Sequence, residues 1–269
     1  MEGISIVNGS IQDFNDQWGR YGEKMNEYYE SEELLGDILG PLLVLDEIGD
    51  KEVADVGAGN GRFTEVLARR AKAVVSIEPA EKAMANNELR NRSYNNVSFV
   101  RCEAERMPFR DRFDYVFCIG VLHHIPDMRE ALKSMAYSLK SDGTLLLWVY
   151  GREGNGLYLA FSKVLRVFTT RMSDNWLHRI AGWLLPALKM YRFLCGKISN
   201  LPLADYCNNH LAKLGDEELR LIIFDQLNPS VAYYLTREQI KEMVAGCGLV
   251  DMEIYHRHGY SWSVKARKP

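Results

Sequence analysis

Between positions 51 and 150, short apolar runs alternate with stretches of helical period. Val53-Ala54-Asp55-Val56, Ala73-Val74-Val75-Ser76-Ile77, Val97-Ser98-Phe99-Val100, Phe113-Asp114-Tyr115-Val116-Phe117-Cys118-Ile119 and the run ending Trp148-Val149-Tyr150 have strand length and are rich in β-branched and aromatic residues. Read in order, the pattern is strand, helix, strand, helix, strand, strand, helix, strand. That rhythm predicts an α/β fold, a mostly parallel sheet with helices on both faces. It breaks at Gly151. From 152 to about 228 the apolar residues recur at helical spacing, first Leu157, Phe161, Val164, Leu165 and Phe168, then Trp176, Leu177, Ile180, Trp183 and Leu184, punctuated by Pro186, Pro202 and Pro229. Residues 151–228 therefore read as a helical insertion or cap, and 229–269 return to the sheet. There Thr236-Arg237-Glu238-Gln239 is a capping box opening a helix that stops at Gly246-Cys247-Gly248. The runs 249–255 and 260–266, joined around His258-Gly259, read as a hairpin.

Residues 1–50 belong to neither part. Phe14, Trp18, Tyr21, Tyr28 and Tyr29 stand in an otherwise acidic and polar stretch, followed by a helical run near Leu34 to Leu45. Aromatics of this kind anchor a helix to a core.

Composition narrows the class. With 269 residues, 47% of them apolar and 26% charged, the chain has the material for a sizeable core. The net charge of −3 conceals an asymmetry: residues 1–52 carry ten more acids than bases, and residues 151–200 six more bases than acids. Such charges form solvated faces or pair across the fold. Alternatively the basic segment covers an anionic substrate, such as a phosphate, a nucleotide-sugar, a carboxylate or an acidic lipid surface. Nucleic acid is disfavoured, since the bases are spread over amphipathic helices and no RNA-binding module is visible. The five cysteines (102, 118, 195, 207 and 247) form no C-x-x-C pair, so no metal is expected and the thiols suit a reducing cytoplasmic compartment. No basic segment followed by an apolar core opens the chain. The most apolar stretch, 176–195, is interrupted by Arg179, Lys189 and Arg192, so stable membrane insertion is not expected.

The candidate chemistry lies where the first strand ends. Val53-Ala54-Asp55-Val56-Gly57-Ala58-Gly59-Asn60-Gly61-Arg62-Phe63 breaks into three alternating glycines before a helix. Glycines there permit positive φ and close approach of a ligand, and the helix start presents N–H groups. A dinucleotide fingerprint requires glycine at the sixth position from Gly57, where Arg62 stands, and no G-K-[ST] follows for a Walker loop. The second strand ends in Glu78, a carboxylate suited to a pair of ribose hydroxyls. His123 and His124 follow the fourth strand at the carboxyl edge of the sheet. One of them is the best candidate for a general base; equally, the pair anchors the next loop and helix, with Asp127 near its start.

The run D-x-G-x-G-x-G, Asp55 to Gly61, resembles the first motif of class I S-adenosylmethionine (SAM) dependent methyltransferases. Four further segments resemble that family in order: the strand ending at Glu78, the stretch 97–109, the stretch 113–127 with Leu122-His123-His124-Ile125-Pro126-Asp127, and Ser138-Leu139-Lys140-Ser141-Asp142-Gly143-Thr144-Leu145. Trp148-Val149-Tyr150 and Asp225-Gln226-Leu227-Asn228-Pro229 resemble its type 11, UbiE-like subgroup, found with glycan or secondary-metabolite biosynthesis enzymes. Two departures are mild: Glu103 stands for the usual Asp, and Ser141-Asp142-Gly143 for P-G-G. The resemblance implies a Rossmann-like, seven-stranded, mostly parallel sheet with an antiparallel last strand, and SAM as cofactor with S-adenosylhomocysteine as product. It implies that Gly57, Ala58, Gly59 and Gly61 border the methionine part, with Asp55 bracing the loop or reaching the ammonium through water. Glu78 would hold the ribose, Glu103 and Ala104 would face the adenine, and Ile119 and Gly120 would lie beside the methyl donor. The N-terminal segment, with Phe14 to Trp18 as F-x-x-x-W, would act as a lid. His256 and His258 are weaker base candidates, and Tyr150, Tyr233 and Tyr234 candidates to line the cleft.

The expected activity is O-methylation of a small anionic or glycan-related acceptor held between sheet edge and cap, with N- and C-methylation open. A lipid, quinone or other natural-product acceptor is the alternative, suggested by Trp176, Trp183, Leu184 and Leu185. Those residues serve equally as cap core or as a homodimer contact. A SAM-binding regulator without turnover is the reading of a different class.

Overall fold

Strand β1 (Glu52–Val56) lies between β2 (Ala73–Ile77) and β4 (Phe113–Ile119), parallel to both, with Asp55 level with Ser76 on one side and Phe117 on the other. The computed structural model describes residues 11, 12, 15, 27–156, 159, 169, 172, 174–198, 200–227 and 232–269. β3 (Val97–Val100) extends the sheet beyond β2, and β5 (Leu139–Tyr150) beyond β4. The final hairpin, β6 (Val250–Arg257) and β7 (Ser261–Arg267), completes the order β3-β2-β1-β4-β5-β7-β6. β7 runs antiparallel to both neighbours. The expected seven-stranded, mostly parallel sheet with its antiparallel last strand is present. The hairpin turns through His258 (φ +47°) and Gly259 (φ +71°), the two positive φ values of a tight primed turn.

Period-two alternation sorts the side chains into two layers. One face carries Ala54, Val56, Val75, Val116, Leu145 and Leu147 against Leu132 and Met135 of α4 (Met128–Ser138) and Ile240 and Val244 of α8 (Arg237–Ala245). The other carries Val53, Val74, Phe117 and Leu146 against α1 (Glu32–Leu39) and α2 (Arg62–Ala68). Helix α3 (Glu81–Asn91) follows β2. The second layer continues into the inserted segment, through Leu185 and Cys195 of α5 (Asp174–Cys195), Cys207 of α6 (Ala204–Asn209) and Leu219 of α7 (Asp216–Leu227). Caps sit where the sequence places them: Thr236 accepts from Gln239 N at 3.2 Å and returns its own N–H to the Gln239 side chain, and Asp127 accepts from Glu130 N at 3.1 Å.

The helical run expected near 34–45 is shorter than its apolar content suggests. Gly40, at φ +55°, and Pro41 end α1, and two 3-10 turns take over. Phe14, Trp18, Tyr21, Leu157, Phe161, Val164, Leu165, Phe168 and Pro229 lie outside the described residues. Among the described residues no helix is long and apolar enough to cross a membrane.

Candidate active site

Strand order reverses between β2 and β4 around β1, so the loops leaving their carboxyl ends part there and open a crevice. The glycine loop is built into it by its own backbone: Gly57 N and Ala58 N both donate to Ile77 O, at 2.8 and 3.0 Å. Beneath it runs a buried polar chain. Asp55 accepts from Thr64 Oγ1 at 2.6 Å, the Thr64 and Ser76 hydroxyls lie 3.1 Å apart, and Asn87 Nδ2 donates to Ser76 Oγ at 2.8 Å. Asn91 Nδ2 then donates to Gly61 O at 3.1 Å. Burial pushes the Asp55 carboxyl up to about 6, against the pull of the Thr64 hydroxyl and the Arg62 charge. Asp55 thus braces the start of α2 through Thr64. Two glycines in the loop have no room for a side chain: at Gly61 (φ +79°) a Cβ would overlap Asn87 and Asn91, and at Gly57 (φ +72°) it would overlap Val121.

Glu78, 7% exposed at the end of β2, accepts from Gly59 N and Ala80 N, both at 2.9 Å. Burial pushes its carboxyl up to about 7 despite these two bonds, which favour the charged form. The group thus sits where small changes in surroundings set its charge near neutral pH.

A cavity of about 540 Å³ lies over this loop and continues beneath the inserted helices. Asp55, Gly57, Ala58, Gly59, Glu78, Glu103, Ala104, Ile119, Gly120 and His124 all border it. Gly61 does not; it is turned into the Asn87–Asn91 packing, so its role is to start α2. His123 does not either. Its ring is wholly buried, 3.9 Å from the Tyr150 ring and 4.3 Å from that of His124, with neither nitrogen hydrogen-bonded. Burial, with His124 adding, holds its pKa well below the usual imidazole range, so it is neutral. Of the two candidate bases the structure brings only His124 to the cavity wall. His256 stacks on Trp262 at 3.9 Å, and His258 bonds to Asp37 and Asp205; neither reaches the cavity, nor does Tyr233.

Tyr150 and Tyr234 do line it, stacked at 5.4 Å and bridged by Gln226, whose Oε1 accepts from Tyr234 OH at 2.9 Å and whose Nε2 lies 3.4 Å from Tyr150 OH. The far wall is Arg257, His210, Tyr206 and Tyr260, with Leu184, Leu188, Leu211, Leu221, Ile222 and Leu227 from the insertion. Sequence reasoning missed Arg257 and His210 because no local motif marks them. Asn60 was within reach of it, lying inside the glycine loop. Its amide is 1% exposed, borders the cavity, and has no partner at either nitrogen or oxygen. An unpaired amide of this kind between Gly59 and Arg62, facing Glu78's end of the cavity, fits a ligand with hydroxyl and amine groups. SAM is such a ligand, and the residues present suit it.

Residues 54–147 match the family described as "Methyltransferase domain". The tRNA U34 carboxymethyltransferase of Aliarcobacter butzleri is 28% identical over 48% of this chain and 46% of its own length. The ubiquinone biosynthesis O-methyltransferase of Nitrosomonas europaea is 32% identical over 40% of this chain and 45% of its own. The chain spans about half the length of the curated relatives it matches. Among solved structures, a SAM-dependent methyltransferase of Thermotoga maritima covers 98% of this chain with all of its own, at a TM-score of 0.54 and 14% identity, which carries the likeness of fold.

Proposed function

We propose that this chain, whose residues 54–147 match the methyltransferase domain family, is a class I SAM-dependent methyltransferase that transfers a methyl group to a hydroxyl of a small acceptor with an apolar body. The observation that carries this reading is the continuity of one cavity from the glycine loop and Glu78 to the tyrosines and leucines under the inserted helices. Cofactor and acceptor can occupy the two ends with their reacting atoms facing.

SAM supplies an electrophilic methyl on a sulfonium and leaves as S-adenosylhomocysteine. The chain's own residues do the rest. Gly57, Ala58 and Gly59 allow close approach of the amino-acid part, and Asn60 offers its unpaired amide. Glu78 faces the ribose, its charge favoured by the Gly59 and Ala80 N–H groups. Glu103 and Ala104 face the adenine, and Ile119 and Gly120 flank the methyl. His124, on the wall between them and Tyr150, takes the acceptor proton. The inserted helices exclude water from the transfer.

The acceptor class follows from the lining. Leu184, Leu188, Leu211, Leu221, Ile222 and Leu227 suit a lipid- or quinone-like molecule better than a glycan, and the ubiquinone biosynthesis enzyme among the relatives supports that choice. Two guanidiniums on the wall could meet an anionic acceptor, and both are already engaged, Arg257 with Asp37 and Arg62 with Tyr29 O. A calorimetric titration of SAM into the wild type, Gly59→Arg and Glu78→Ala tests the cofactor site. Binding lost in both variants supports it; no binding by folded wild type refutes it. Formation of S-adenosylhomocysteine with alkylated phenols and not with sugar acids then supports the acceptor class. Binding without turnover on either set favours a SAM-binding regulator.

A further inference from the structure

We infer that the outer face of α5 rests on an anionic membrane surface and receives the acceptor from it. Helices of a globular protein bury their apolar stripe; α5 has two. The inner one, with Leu177, Ala181 and Leu185, is buried. The outer one repeats every two turns as Trp176, Trp183, Met190 and Phe193-Leu194, and Trp183 is 71% exposed, Met190 61% and Phe193 59%. Nothing within the described residues covers it.

The charge of this helix selects the occupant. Between 175 and 200 the sequence has four bases and no acid, in a chain whose net charge is −3. Two of those bases are engaged, Lys189 with Asp216 and Arg192 with Leu211 O. The other two point outward with the aromatics: the Arg179 guanidinium lies 5.1 Å over the Trp176 ring and the Lys197 ammonium 5.0 Å over that of Phe193. Tryptophans beside cations on a helix too polar to span a bilayer form an interfacial face for anionic headgroups. A second copy of the chain fits worse, because a two-fold contact would bring Arg179 and Lys197 against their own kind, with no acid among the described side chains of α5 to meet them.

The same helix borders the cavity with Leu184, Leu188 and Tyr191, and Leu184 is at once 39% exposed and part of its wall. An acceptor with a hydrocarbon part therefore has an apolar path from headgroup level to the site, a step that rests on the proposed methyl transfer. The docking itself does not.

Sedimentation with phosphatidylcholine vesicles, and with vesicles that also contain phosphatidylglycerol, tests the docking on the full chain, with tryptophan emission followed in parallel. The wild type is expected to partition onto the anionic vesicles with a blue-shifted emission. Trp183→Glu should abolish this, and Arg179→Gln and Lys197→Gln should each weaken it about fivefold; SAM titration verifies that each variant is folded. A wild type that binds SAM and ignores anionic vesicles overturns the docking while leaving the methyltransferase reading intact. So does a dimer in solution dispersed by Trp183→Glu, which assigns the face to a second copy. Vesicle binding without SAM binding has the opposite meaning: the surface stands and the methyltransferase reading falls.

Discussion

Arg257 Nε donates to Asp37 Oδ2 at 3.0 Å across 220 residues of sequence, tying α1 to the end of β6. The guanidinium is 1% exposed and also reaches Tyr260 OH, while His258 Nε2 bonds the other Asp37 oxygen at 3.0 Å. Burial alone would raise the Asp37 carboxyl, but the His258 bond and the Arg257 charge overcome it and hold it well below the usual carboxylate range.

Removing one partner leaves the other charge buried. Arg257→Met is expected to cost about 3–5 kcal/mol in urea unfolding, because the Asp37 charge loses its guanidinium. Asp37→Asn should remove part of the wild type's loss of stability in acid: a depressed carboxyl stabilises above its ordinary pKa, and that contribution fades as pH falls below about 4.

Glu78 works in the other direction. Its folded value of about 7 lies above the ordinary 4.5, so between those values the folded chain holds a proton that the unfolded chain releases. Its contribution is complete below about pH 4.5 and is lost as pH rises through 7, at most about 3 kcal/mol. Urea midpoints of the SAM-free protein should fall over that window more steeply in the wild type than in Glu78→Gln. The variant should be the more stable at pH 8 and the weaker SAM binder.

The adjacent histidines should separate in kinetics. His124→Ala is expected to lower kcat by about 10²–10⁴ with SAM affinity kept, as for loss of a general base. His123→Leu, which replaces a neutral ring without hydrogen bonds, should leave kcat within about threefold. Equal losses in both would assign the pair to anchoring the loop.

Gly61→Ala should be a folding defect and Gly57→Ala a binding defect as well. The first forces a Cβ into Asn87 and Asn91 at positive φ, a cost of about 2–4 kcal/mol by unfolding. The second displaces Val121, which borders the cavity, so SAM affinity should fall along with stability.

The sheet was readable because its signals are local: five strand-length runs, a glycine turn and a capping box each declare themselves within a few residues. The glycine loop was readable as a loop, yet the letters that stand out in it are not all at the cavity. Gly61 stands out because a helix must start against Asn87, whereas Asn60, with its free amide, is an unremarkable letter between two glycines. His123 and His124 are indistinguishable in sequence, since a single 3-10 turn decides which ring faces the cavity. The far wall is least legible. Arg257, His210 and Tyr206 meet through tertiary packing alone, and neither the charge asymmetry nor the helical period announces that a basic side chain at a strand end will close a cavity opened 200 residues earlier.

β7 comes after β6 along the chain and yet sits inside the sheet, against β5. A chain folded only as far as β6 therefore has the β5 edge from Thr144 to Tyr150 with its backbone N–H and C=O groups unpaired. Until β7 pairs, that open edge is a template for a strand of a neighbouring molecule, so a chain folding among copies of itself meets a competitor for the place β7 must take.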